Sequence, residues 1–121
     1  DLDVGAAAEL DRLPAELRRI DAATIVRDPA AAGQHAAASL ASVSCGVWLH
    51  LDLDVLDPES LPAVTHPQPG GLDWDQLATT LKPLARSPQL VGVSVADFRP
   101  DLDPTGGLVV RVIEVLECTL P

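Results

Sequence analysis

Val47-Trp48-Leu49-His50-Leu51-Asp52-Leu53-Asp54-Val55-Leu56-Asp57-Pro58 decides how the rest of the chain is read: an apolar run that ends in three carboxylates and a proline. Cys45 to Leu53 is hydrophobic almost throughout, as parallel strands covered on both faces are, and is predicted as a central strand. Side chains alternate along a strand, so Asp52 and Asp54 point to one side with His50 behind them. Carboxylates about 7 Å apart on one face repel unless a cation lies between them. Hard oxygen donors in that arrangement suit a divalent metal. The same residues also fit a strand running into an acidic, solvated turn, because Asp-Pro opens turns. On this stretch alone both readings stand.

Downstream, Pro58 to Leu72 is a proline-rich loop stopped by Gly70-Gly71. A helix follows, with Asp73 as N-cap, Gln76 three residues on in a capping-box pattern, and Leu77, Leu81 and Leu84 as its apolar stripe. Pro83 is expected to bend or end it. Gln89 to Val95 is the next strand and Pro100 to Gly107 a turn-rich loop. Leu108 to Leu120 is divided between β-branched residues that favour a strand and a Leu108–Val112–Val115/Leu116 face that favours a helix.

Upstream, Leu10, Leu13, Leu17 and Ile20 fall at helical spacing, with Pro14 restarting a second short helix that ends near Arg18 and Arg19. Ala23 to Val26 is a candidate buried strand. Pro29 to Ser42 is an alanine-rich helix carrying His35 on its exposed surface. Strand and helix alternation of this kind specifies an α/β layer on a parallel sheet.

Composition excludes more than it assigns. The chain has 121 residues and a net charge of −10, so it is one domain or part of one and lacks the basic stripe that nucleic-acid binding requires. No apolar run approaches a membrane span. The chain contains no methionine, which reads as a trimmed or partial chain. Cys45 and Cys118 are too few for a metal site and are expected as buried thiols of a cytoplasmic protein.

The strand, Asp52-x-Asp54, Asp57-Pro58, the loop with Pro62-Ala63 and Thr65-His66-Pro67, and Gly70-Gly71-Leu72 together resemble the C-terminal signature of the ureohydrolase superfamily, which includes arginase, agmatinase and formimidoylglutamase. Gly92-Val93-Ser94-Val95-Ala96-Asp97-Phe98-Arg99-Pro100 is similar to that family's later strand, and the resemblance runs from about Val47 to Gly107. It implies an arginase-like fold, a three-layer parallel sheet flanked by helices, of which residues 1–121 are the C-terminal part of a single domain. It also decides Leu108 to Leu120 for helix.

The resemblance further implies two Mn²⁺ ions that activate a water for attack on the guanidinium carbon of a small guanidino or amidino substrate. Asp52 then bridges both metals and Asp54 binds one, while Asp57 shapes the loop through backbone amides. Asp97 stands where the family often places a substrate-holding glutamate, one methylene longer; the alternative is a structural aspartate at a strand end. His66 lies in the loop lining the substrate entrance and either contacts substrate or caps the turn. His50 is expected to be buried and hydrogen-bonded. Asp101 to Pro104 lacks the glycine and distal glutamate of a calcium loop and reads as a turn.

Two upstream motifs of the family, Gly-Gly-Asp-His and Asp-Ala-His-x-Asp, are absent from residues 1–121. The expected function is therefore the C-terminal part of a Mn²⁺-dependent amidine hydrolase, inactive alone and capable of oligomerising when complete. The competing expectation is a non-catalytic α/β interaction or structural module. No residue of this chain is assigned as a catalytic acid, base or nucleophile.

Overall fold

In the computed structural model, which describes residues 17–120 together with Arg12 and Pro14, the chain order is α1 (Ala22–Arg27), α2 (Pro29–Leu40), β1 (Val47–Asp52), a 3-10 turn (Leu53–Val55), α3 (Trp74–Ala85), β2 (Leu90–Ala96), a second 3-10 turn (Pro100–Leu102) and α4 (Gly107–Thr119). β1 and β2 form a parallel pair in register from Trp48 opposite Gly92 to Asp52 opposite Ala96. A parallel pair needs a crossover connection, and α3 supplies it.

The capping box forms as its pattern predicts: Asp73 Oδ1 accepts from Gln76 N at 2.7 Å and Gln76 Oε1 accepts from Asp73 N at 2.9 Å. Pro83 does not end α3, which runs two residues further to Ala85. α4 resolves the Leu108 to Leu120 ambiguity as helix, burying Val112, Val115 and Thr119.

Ala23 to Val26 departs from expectation and is helical. Asp21 caps α1 by accepting Thr24 N at 2.7 Å, and Asp28 caps α2 by accepting Ala31 N at 3.0 Å. With a cap on each side, Ile25 and Val26 reach the core from a helix, and packing overrides their β-branched preference. Leu17 to Ile20 form no helix; the rest of the helical pattern foreseen before Ile20 lies outside the described residues apart from Arg12 and Pro14.

The core joins Leu51 and Leu53 to Leu56, Leu61, Ala63, Val64 and Leu72, with Leu77 and Leu81 from α3 and Val112 and Val115 from α4. The proline-rich loop is therefore part of the core, since Leu56, Leu61 and Ala63 are completely buried. The helices cover the Leu49–Leu51 face of β1. On the other face Trp48 is 62 % exposed and His50 is exposed too, so β1 is covered on one side among the described residues. Trp48 lies over Gly92, where any Cβ would enter the indole ring. Its Nε1 donates to Ser94 Oγ at 3.1 Å, and His50 Nδ1 lies 2.9 Å from the same oxygen. His50 is thus hydrogen-bonded as foreseen but not buried. Cys45 and Cys118 are exposed free thiols, contrary to expectation: Cys45 precedes β1, and Cys118 lies off the buried face of α4.

Candidate metal centre

β1 ends at Asp52, and the chain does not continue extended to Asp54. Leu53 is 1 % exposed in the core, and Leu53–Val55 form a 3-10 turn. Asp52 caps that turn, its Oδ1 accepting Asp54 N at 3.3 Å. The two carboxylates still converge, but through a capped turn instead of strand alternation.

β2 adds a third carboxylate. The Asp52–Ala96 register places Asp97 immediately beside the end of β1. One oxygen from each of Asp52, Asp54 and Asp97 lies within 4.8 Å of the others, and all three residues are half-buried. Parallel strands release their C-terminal residues at the same edge of a sheet, which is where open α/β sheets gather ligands.

Asp97 has a φ of 67°, the left-handed region that L residues other than Asn and Asp rarely enter. Its Oδ2 accepts Thr65 N at 3.0 Å. Hydrogen bonding with Thr65, through its side chain first and its backbone N–H after, holds the Asp97 carboxyl below the usual carboxylate range. Asp54 shifts the opposite way: burial raises it, the charges of Asp52 and Asp97 raise it further, and nearby His66 partly offsets them. Mutual repulsion among three hard oxygen donors is the condition a divalent cation relieves, so this donor set fits one such ion. No histidine or cysteine belongs to the cluster, and a two-metal site needs more ligands than these.

Asp57 behaves as its position before Pro58 implies. Its Oδ1 accepts Glu59 N at 2.9 Å and its Oδ2 accepts Gly70 N at 2.8 Å, and these amides hold its carboxyl low. Leu72 and the 3-10 turn close the loop through Asp57 N to Leu72 O and Leu72 N to Val55 O, each 2.9 Å. Both glycines of the Gly-Gly pair are required. Gly70 has φ 87°, and a Cβ on Gly71 would meet the Leu56–Asp57 backbone at 2.6 Å. His66 is exposed on this loop, close enough for its charge to act on Asp54 and Asp97.

Asp101 pairs with Arg99 through two hydrogen bonds. Asp103 is buried and accepts Val109 N at 2.9 Å, so this segment anchors the start of α4, in keeping with its reading as a turn. The sequence reading missed that Asp97 joins Asp52 and Asp54. The available signal was the shared end of two parallel strands.

A family model described as "Arginase family" matches residues 5–119. Arginase 1, mitochondrial, of Arabidopsis thaliana is 36% identical over 67 residues, which is 55% of this chain and 19% of that protein. The N(1)-aminopropylagmatine ureohydrolase of Thermus thermophilus is 36% identical over 55 residues, 46% of this chain and 19% of its own length. Among solved structures, arginase from Bacillus caldovelox matches 98% of this chain and 39% of its own with a TM-score of 0.82; at 24% identity this is a likeness of fold. The matched stretch thus spans about a fifth of these curated relatives and about two fifths of that solved arginase.

Proposed function

The chain belongs to the arginase family, and on that premise we propose that it is the C-terminal part of a Mn²⁺-dependent hydrolase acting on C–N bonds of linear amidines, with a guanidino compound as substrate. The observation that carries this reading is the meeting of Asp52, Asp54 and Asp97 at one edge of the parallel pair. Asp52 and Asp54 are the residues that would hold metal. What bound Mn²⁺ supplies is Lewis-acid polarisation and a water acidic enough to act at neutral pH.

The remaining roles belong to the chain. Asp97 keeps one oxygen on Thr65, which leaves the other for a charge-assisted hydrogen bond from a guanidinium. His66 flanks the same edge from the loop. Asp57 and the Gly70–Gly71 turn fix that loop against the 3-10 turn that presents Asp54, so the ligands and the substrate entrance move as one body.

Three carboxylates do not complete a dinuclear site. β1 and β2 each have only one hydrogen-bonded neighbour among the described residues, and parallel sheets are ordinarily larger and covered on both faces. Further strands bearing nitrogen ligands are the complement this site requires. The chain alone is therefore expected to bind Mn²⁺ weakly and to hydrolyse no guanidino compound. Titration calorimetry showing sub-micromolar Mn²⁺ affinity for residues 1–121 alone would contradict this.

The decisive experiment is Asp52→Asn in the complete protein, read by elemental analysis and by turnover of a guanidino panel. Asparagine keeps the shape but loses the charge, so loss of at least one metal and nearly all turnover is expected. Full metal content with full activity overturns the reading. A second reading, a non-catalytic α/β interaction module of the same family, is favoured by the absence of any histidine from the carboxylate cluster. A monodisperse, cooperatively melting monomer with no metal affinity supports that one.

A further inference from the structure

Asp97 takes its orientation from the proline-rich loop, outside the turn that joins Asp52 and Asp54. Its Oδ2 accepts Thr65 N at 3.0 Å, from a residue 32 positions earlier. Thr65 delivers that N–H from a fixed point. Ala63 is completely buried and Val64 is 2 % exposed, and Ala63 O accepts Arg99 N at 2.8 Å. The residues just before Thr65 are thus held both by the core and by the backbone two residues beyond Asp97. Thr65 itself is exposed, so changing its side chain removes no buried packing.

An aspartate carboxylate turns about two side-chain bonds, the second of them broad. Oxygens of Asp52, Asp54 and Asp97 lie within 4.8 Å of one another, so like charge drives the Asp97 carboxylate away from the other two. A donor on Oδ2 opposes that swing and fixes the direction of the remaining oxygen. A bond to an ionised acceptor is stronger than one between neutral groups, which suits it to this task. The Thr65 side chain first, then its N–H, hold the Asp97 carboxyl below the ordinary range against the effect of burial, with His66 adding a smaller effect of the same sign.

Resting on the hydrolase reading above, in which Asp97 meets the guanidinium of the substrate, we propose that Thr65 is a positioning residue: its hydroxyl and N–H together hold the Asp97 carboxylate so that Oδ1 faces the guanidinium. Thr65 acts through Asp97, not on the metal or the reacting carbon. Its loss weakens substrate binding and leaves metal at Asp52 and Asp54.

Steady-state kinetics of the complete protein with butylguanidine, measured beside its Mn²⁺ content, test this. Thr65→Val removes the hydroxyl and keeps the shape, and KM should rise about tenfold. Both kcat and Mn²⁺ content should stay within about twofold of the parent, because the lost interaction is made equally before and in the transition state. Thr65→Ser keeps the hydroxyl and should bring KM back to within about twofold of the parent. Thr65→Pro removes the N–H and should raise KM at least as far as Thr65→Val; if it unfolds, the valine and serine variants decide alone. An unchanged KM in Thr65→Val or in a folded Thr65→Pro, an equal rise in Thr65→Ser, or loss of Mn²⁺ from Thr65→Val overturns the proposal. If the parent turns over no butylguanidine, the hydrolase reading fails and the equilibrium Kd of the same compound takes the place of KM. Weaker binding in Thr65→Val with recovery in Thr65→Ser then upholds the role of Thr65, whereas equal Kd in all variants, or no binding by the parent, overturns it.

Discussion

Thr65 donates its backbone N–H to Asp97 Oδ2 at 3.0 Å, across 32 residues of chain. Arg99 N returns to Ala63 O at 2.8 Å, so the proline-rich loop and the end of β2 are stapled at two points. The same staple brings the third carboxylate to the cluster and holds Asp97 in its left-handed conformation. The contacts that close the loop thus also place Asp97 at the cluster.

Asp97→Asn should keep the staple, since an amide oxygen still accepts Thr65 N and asparagine tolerates φ of 67°. Asp97→Ala loses the acceptor and keeps the strain. Amide exchange at Thr65 should accelerate about tenfold or more in the alanine variant and little in the asparagine one, as opening of a local unit requires. Equal protection in both variants contradicts the staple. Asp97→Glu is the complementary change in the complete protein: if this position reads the substrate, the longer side chain tightens guanidinium binding.

Asp54 carries a pH signature of its own. Its carboxyl is raised in the folded chain, so a stability penalty develops as pH rises through the ordinary aspartate range and is complete above the raised value. Without divalent cations, Asp54→Asn should melt higher than the parent at neutral pH, and the difference should vanish toward about pH 3.5. Excess Mn²⁺ should reverse the order at neutral pH, because only the parent keeps the charge. Thermal melts in chelator and in Mn²⁺ across that range check both halves. A parent that melts higher in chelator at neutral pH contradicts the assignment of cause.

Leu56 is completely buried between the 3-10 turn and Leu72. Leu56→Ala should cost about 2–5 kcal/mol in denaturant unfolding, the range for a large cavity-forming change. In the complete protein it should also lower Mn²⁺ affinity, because the turn presenting Asp54 rests on it. A loss under about 1 kcal/mol would show that the loop does not belong to the cooperative core.

The two glycines should fail for different reasons. Gly70→Ala meets no neighbour but forces a side chain into positive φ, costing about 1–2 kcal/mol. Gly71→Ala has no φ conflict but drives its Cβ into the Leu56–Asp57 backbone, costing about 1–3 kcal/mol and displacing the turn itself. Chemical shifts of Leu56 and Asp57 should move strongly in the second variant and weakly in the first.

Much of the site was legible in residue order. Asp73 and Gln76 announced the start of α3, because a capping box is closed within four residues and needs no tertiary partner. Asp57 before Pro58 announced a side chain serving backbone amides, and it does so at Glu59 and Gly70. The resemblance to the family was carried by the whole run from the strand through Asp57-Pro58 and the proline-rich loop to Gly70-Gly71-Leu72, together with the Gly92 to Pro100 block.

Packing decided what local chemistry left open. Thr24, Ile25 and Val26 prefer strands by propensity, yet two aspartate caps and the core made them a helix. Asp54 left the strand in a 3-10 turn that Asp52 caps and in which Leu53 stays buried. Asp97 joined the cluster through the register of two strands more than 40 positions apart in the pairing. Residue order alone determines short-range caps, turns and strand edges, whose energies close within a few residues. Which distant groups meet is set by how the core fills, and that is a property of the folded chain.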